Sequence, residues 1–159
     1  MDQTEHVLRF FRQNLIRDGG FLNVVSYPIR DRFDSAPRYY LMFASRRVDA
    51  FELWNDQMTR EDARLSERHY QSLASQSSFL PQFDAENAGI NLFNSIHEFA
   101  SNTERFNRRD VVMHIVTGSC GLYHTGDIKR AVASLLVAGR LRWEHPERRK
   151  LDTDHMRLG

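Results

Sequence analysis

Apolar positions in the N-terminal half predict a helix, two strands and a second helix. The first helix is predicted by an apolar stripe at helical spacing, namely Val7, Leu8, Phe11 and Leu15. Strands are predicted over 21–27 and 38–45, and the near-continuous apolar run of the second indicates a strand covered on both faces. Because the connection between them is short, we expect antiparallel pairing.

A helical pattern then begins at Val48, and a highly polar stretch with little to bury follows over 59–75. Residues 76–88 have the composition of a linker, with Pro81 inside it. The next amphipathic helix ends near Asn102 and has its apolar face at Leu92, Phe93, Ile96, Phe99 and Ala100.

The segment from Asn107 onward has the order helix, turn, helix, glycine and basic hairpin. Asn107 is a suitable cap for a helix that ends at Gly118, and a second helix beginning near Thr125 ends at Gly139. We predict a strand over 140–143, a polar tip over 144–149 and a return strand at Lys150–Leu151. This order is typical of a winged-helix domain, although a plain three-helix cap would share most of it.

These elements predict an α+β fold with three regions. Residues 1–75 form a helix with a strand hairpin and covering helices, 76–106 form a linker with an amphipathic helix, and 107–159 form the winged-helix domain. The chain has 159 residues, 41% of them hydrophobic and 27% charged, which is typical of a folded globular protein. No apolar run approaches the roughly 20 residues of a membrane span. The single Cys120 excludes an internal disulfide, and we expect a cytoplasmic protein.

Charge is divided unevenly along the chain. Residues 106–159 carry 10 Lys/Arg against 6 Asp/Glu, whereas residues 1–105 carry 12 against 15. A basic C-terminal part favours contact with phosphates. The predicted second helix and hairpin supply the candidate nucleic-acid-binding residues, which are Thr125, Lys129, Arg130, Arg140, Arg142, Arg148, Arg149 and Lys150. The alternatives are a solvated surface and a module that docks a partner protein.

The sequence offers no catalytic, cofactor-binding or metal-ligating set. Its seven histidines show no ligand-type pairing with each other or with Cys120. Cys120 has no base beside it and is better interpreted as a small turn residue than as a nucleophile. The glycines of 118–126 lack the Lys-Ser/Thr of a phosphate loop. We therefore predict no cofactor and no catalysis by this chain alone.

Two stretches carry a resemblance to a known family. The strand and helix over 38–58, RYYLMFASRRVDAFELWNDQM, precede the terminal GDIKRAVASLLVAGRL over 126–141. This chain thereby resembles the C-terminal part of the three-Cys-motif partner proteins, whose methyltransferase-like domain is followed by a winged-helix domain. The resemblance implies a fragment or subunit of an S-adenosylmethionine-dependent methyltransferase as an alternative to a nucleic-acid-binding protein.

The resemblance stops short of the cofactor site. In such a methyltransferase the cofactor lies at the ends of the first strands, and that half would precede Met1. No cofactor-binding residue can therefore be carried over to this chain. Because an isolated strand pair is only marginally stable, we expect a homo-oligomer or a partner protein to assemble through it. We expect nucleic acid, DNA in preference to RNA, as the other partner, and no membrane.

Overall fold

The protein has an α+β fold, as its sequence predicts. The computed structural model describes residues 3–32, 35–74, 85–144 and 155–159. These residues form five helices and two antiparallel strand pairs, in the chain order α1 (Gln3–Gly19), β1 (Asn23–Ile29), β2 (Tyr39–Ser45), α2 (Val48–Ala74), α3 (Ala85–Ser101), α4 (Arg108–Gly118), α5 (Thr125–Val137), β3 (Leu141–Trp143) and β4 (Met156–Leu158). None of these helices is both long and apolar enough to cross a bilayer.

The chain divides into two compact units. One contains residues 1–80 and 116–122, and the other contains residues 81–115 and 123–159. The division differs from the predicted regions because α3 belongs with the C-terminal elements and does not stand as a separate connecting region. The last residues of α4, together with the turn after it, belong to the first unit.

The core of the first unit is the antiparallel pair β1–β2, with helices on its two faces. The predicted antiparallel pairing is confirmed, with Val25 opposite Phe43 and Tyr27 opposite Leu41. On one face, Phe43 stacks on Trp54 of α2 with ring centroids 4.8 Å apart. On the other face, the Arg12 guanidinium of α1 donates to Ser26 Oγ. Since Ser26 and Val25 are adjacent in β1, their side chains point to opposite faces, so a helix lies on each face of the pair. The predicted covering of the second strand on both faces is met only in part, because no residue of β2 is fully buried and Leu41 is 41% exposed.

Helix α2 is longer than the sequence pattern indicated. The polar residues 59–74 continue the helix to Ala74, and the Thr59 hydroxyl donates to Asn55 O one turn earlier at 2.9 Å. Side-chain pairs along the exposed surface support this polar part: Gln57 with Glu61, Arg64 with Glu61, and Gln71 with Glu67. Pairs three or four residues apart stabilise a helix that has little apolar surface to bury.

A buried polar contact holds the turn after α4 in the first unit. Asn55 is fully buried, and its Oδ1 accepts a hydrogen bond from the Gly121 amide at 2.9 Å. Gly121 has φ +84°, and a Cβ there would lie 2.8 Å from the Tyr27 ring. The Tyr27 hydroxyl in turn donates to Asp62 at 2.5 Å. Glycine is thus required at position 121 by both the backbone conformation and the ring beside it.

The second unit is built from α3, α4, α5 and the hairpin β3–β4. Its buried residues include Ile96 of α3, Val112 of α4 and Ile128 of α5. The start of α4 is capped as predicted: Asn107 Oδ1 accepts from the Asp110 amide at 3.0 Å, and the Asp110 carboxylate accepts from the Asn107 amide at 2.8 Å. This reciprocal arrangement satisfies amides that would otherwise lack a partner within the helix.

The ends of the C-terminal elements agree with the sequence in part. Helix α4 ends at Gly118, as predicted. Gly139, which was predicted to end the next helix, lies two residues after the end of α5 and has φ +70°. The observed return strand is β4, at Met156–Leu158, whereas the return predicted at Lys150–Leu151 falls in 145–154, outside the described residues. The return strand lies at Met156–Leu158 because Met156 provides an apolar side chain that is buried on the inner face of the hairpin.

Candidate nucleic-acid interface

A third backbone segment lies beside the C-terminal hairpin. Phe106, which precedes α4, forms an antiparallel bridge with Met156 of β4. Two backbone hydrogen bonds hold the bridge, Phe106 N to Met156 O at 3.2 Å and Met156 N to Phe106 O at 2.6 Å. Both side chains are fully buried, and the Phe106 ring packs edge-on against Phe99 of α3. Strand β4 therefore lies between the Phe106 segment and β3.

The hairpin has an apolar and a basic face. Leu141 and Met156 are buried, whereas the residues that alternate with them, Arg142 and Arg157, are exposed. Strand residues alternate between the two faces of a sheet, so the arginines share the outer face. Arg140, directly before β3, is exposed as well. We call Arg140, Arg142 and Arg157 the arginine face.

Arg142 and Arg157 stand directly opposite each other across the two strands. The flanking bonds Gly159 N to Arg140 O at 2.9 Å and Glu144 N to His155 O at 3.0 Å show that the pair occupies a hydrogen-bonded position. At such positions the Cα atoms are only about 5.5 Å apart. Like charges directly opposite each other destabilise a sheet. An anion bound between the two guanidiniums would remove that cost.

Two described carboxylates in the second unit are paired with other arginines. Glu144 pairs with Arg105 at 2.8 Å, and Asp127 pairs with Arg130. Within residues 85–144 and 155–159, no carboxylate forms an ion pair with Arg142 or Arg157. The positive potential of the arginine face is therefore not neutralised by the residues that the structure describes in this unit.

The predicted contribution of α5 needs correction at its first residue. Thr125 was expected to be exposed for contact with nucleic acid, but only 3% of its surface is accessible to solvent. His124 is the N-cap, and its Nδ1 accepts from the Gly126 amide at 3.1 Å, so Thr125 lies in the first turn and packs inward. Its side chain is therefore removed from the candidate interface.

The remaining predicted residues fall into three groups. Lys129 is half-buried, and Arg130 is exposed but ion-paired with Asp127. Arg140 and Arg142 are exposed on the hairpin, as predicted. Arg148, Arg149 and Lys150 lie outside the described residues.

Sequence reasoning missed Arg157. The signal was present in the alternation of Met156, Arg157 and Leu158, which mirrors Leu141, Arg142 and Trp143. This alternation was not recognised as a strand because the return strand was predicted at Lys150–Leu151, which placed Arg157 after the hairpin. The register then makes Arg157 the direct neighbour of Arg142.

Cys120 lies in the first unit and lacks the environment of a reactive thiol. It is half-buried, and burial raises the pKa of its thiol from the ordinary 9.0 to about 11. The nearby Asp62 carboxylate acts in the same direction, whereas the Trp54 side chain lowers the pKa. Because the thiolate is the nucleophile, these surroundings leave Cys120 inert near neutral pH.

Slow alkylation of Cys120 is the expected consequence. At pH 8, iodoacetamide should modify the folded chain roughly a hundredfold more slowly than the urea-unfolded chain, since a pKa two units higher lowers the thiolate fraction by that factor. The readout is a time course of intact mass. Equal rates for folded and unfolded protein would contradict the raised pKa. Because the folded state holds this proton more tightly, the free energy of unfolding should also fall as the pH rises from about 9 to about 11.

No group of three or more His, Cys, Asp or Glu side chains in the described parts of the chain could hold a metal ion. Comparison of the chain with family models, with curated proteins and with solved structures gave no match. The resemblance to the three-Cys-motif partner proteins accordingly stays a prediction from the sequence.

Proposed function

We propose that the second unit is a winged-helix module that binds duplex DNA through its arginine face. The observation that carries this proposal is the direct opposition of Arg142 and Arg157 on the exposed side of β3–β4. Two arginines at directly opposite strand positions, without carboxylate partners among the described residues, offer guanidinium donors that suit phosphate oxygens. In this proposal the protein acts by binding and performs no catalysis on its own.

The order of elements supports the winged-helix assignment. Helix α3, the Phe106 segment, α4, α5, β3 and β4 follow one another, and β4 pairs with both β3 and the Phe106 segment. Winged-helix domains have this order, with the third helix as the usual recognition helix and the strand hairpin as the wing. The wing typically lies along phosphates, which is the contact that the arginine face would make.

The exposed surface of α5 favours phosphate contact over extensive base reading. Apart from Arg130, which is paired with Asp127, its exposed residues Ala133, Ser134 and Val137 are small or apolar. Base-specific contacts usually come from Arg, Lys, Asn or Gln on a recognition helix. We therefore expect binding that depends strongly on salt and only weakly on sequence.

Fluorescence anisotropy with labelled duplex DNA across a salt series tests this function. Three arginine–phosphate contacts predict a slope of about −3 for log affinity against log salt, which is roughly a fortyfold loss between 50 and 200 mM salt. Single-stranded DNA and duplex RNA of the same sequence serve as comparisons. A slope near zero, or no binding to duplex DNA at 50 mM salt, would overturn the proposal and favour a protein-docking role for the unit.

A further inference from the structure

Helix α1 presents an apolar stripe on its outer surface. The stripe consists of Val7, Phe10 and Phe11, which are 46%, 59% and 53% exposed. None of the 17 residues of α1 is fully buried, although the helix packs on β1 through its other side. Because most helical stability in proteins comes from the packing of an apolar face, burial of this stripe would stabilise α1 further.

An open cleft of about 530 Å³ lies beside this stripe, between α1 and β2. Its walls include Leu8 and Phe11 from the helix and Tyr40 and Met42 from the strand. Phe10 is not part of the walls, and its ring packs edge-on against Phe11 with centroids 6.3 Å apart. The helix therefore carries a projecting ring next to an apolar recess.

We propose that a second copy of this chain covers the stripe and the cleft, forming a two-fold symmetric dimer. In a two-fold contact the same patch is used twice, so it must be complementary to itself. A projection and a recess side by side meet that requirement, because the Phe10 ring of each copy enters the cleft of the other. This dimer does not depend on nucleic-acid binding by the second unit.

The charge distribution on α1 favours a second copy as the occupant. At 100° per residue, Gln3, Val7, Phe10 and Asn14 lie on one side of the helix, and all four are neutral. At the edge of this side, Arg17 is paired with Asp18 at 2.7 Å. Self-association brings identical charges together across the symmetry axis, so only a neutral surface tolerates it without repulsion. The arginine face, by contrast, would repel its own copy.

The exposed apolar area is adequate for the centre of such an interface. An aromatic side chain carries about 200 Å² of surface. At 59% and 53% exposure, Phe10 and Phe11 of two copies together present roughly 450 Å². A standard interface buries about 1,600 Å² in total, with an apolar centre inside a polar rim. The two rings thus account for over a quarter of that area, and Val7 and the cleft walls extend it.

Sedimentation equilibrium of the full-length chain tests the dimer. We expect a dimer with a dissociation constant in the micromolar range, and monomers for Phe10→Glu, since the charge enters the centre of the interface twice. The dissociation constant of this variant should rise at least about a hundredfold. The control is Leu53→Glu on α2, where the side chain is 74% exposed on the helix that covers the other face of the β1–β2 pair, and this variant should remain dimeric.

Circular dichroism of each variant separates loss of association from loss of folding, and Phe10→Ala provides a milder change at the same position. A folded Phe10→Ala variant with a weakened dimer supports the proposal. A wild-type chain that is monomeric at about 100 μM would overturn it. A dimer that is unaffected by Phe10→Glu, or disrupted equally by Leu53→Glu, would place the contact elsewhere and would also overturn it.

Discussion

Replacing Arg142 and Arg157 together with glutamate is expected to weaken the binding of duplex DNA by on the order of a hundredfold or more at low salt. Each arginine is proposed to donate charge-assisted hydrogen bonds to a phosphate, and each such bond contributes about 1.5–3 kcal/mol. Their direct opposition on β3–β4 means that both changes fall on one phosphate-binding surface. The salt slope should become shallower by about 2, because two phosphate contacts are lost.

The matched control for this variant is Arg32→Glu with Arg47→Glu. Both residues are exposed in the first unit, so the control changes the net charge equally without touching the arginine face. Anisotropy titrations of the two double variants at the same salt concentrations provide the comparison. If the control lost as much affinity as the Arg142/Arg157 variant, binding would follow overall charge and the arginine face would have no special role.

Phe106→Ala is expected to reduce the free energy of unfolding by about 3–5 kcal/mol. The Phe106 side chain is fully buried, packs against Phe99 of α3, and belongs to the segment that bridges Met156. Its removal leaves a cavity where α3, the bridge and β4 meet. This loss is a large part of the roughly 5–15 kcal/mol by which domains are stable. It should lower the melting temperature by roughly 10 °C.

Phe93→Ala is the control for the core substitution. This substitution also removes a phenylalanine side chain from the second unit. Because Phe93 is 38% exposed, its removal leaves a smaller cavity that is open to solvent. Urea titrations followed by circular dichroism should give less than half the loss seen for Phe106→Ala. Similar losses for the two variants would mean that the Phe106 segment has no special part in holding the unit together.

Local signals predicted several elements correctly. Asn107 caps α4 and Gly139 follows α5 as expected, because caps and glycine terminators act within one turn of the chain. The antiparallel pair β1–β2 followed from two apolar runs with a short connection. The continuation of α2 through 59–74 was not predicted, because a polar helix supported by side-chain pairs lacks an apolar stripe.

The candidate interface could be predicted only in part. Arg140 and Arg142 were identified from the basic composition of the hairpin, and they are exposed there. Thr125 was predicted to be exposed at the start of the candidate recognition helix, but in the packed unit this side chain is buried. Arg157 was missed, since the identity of the return strand depends on which distant segment buries Met156.

The sequence by itself determined the α+β class, the positions of most helices and the separation of a basic C-terminal part from an acidic N-terminal part. These properties depend on composition, on spacing within a helix or strand, and on capping between near neighbours. The tertiary structure alone decided that Phe106 pairs with Met156 and that Arg157 stands opposite Arg142. Strand register is fixed by burial of side chains far apart in the chain, and a shift of one residue would have exchanged the apolar and basic faces of the hairpin.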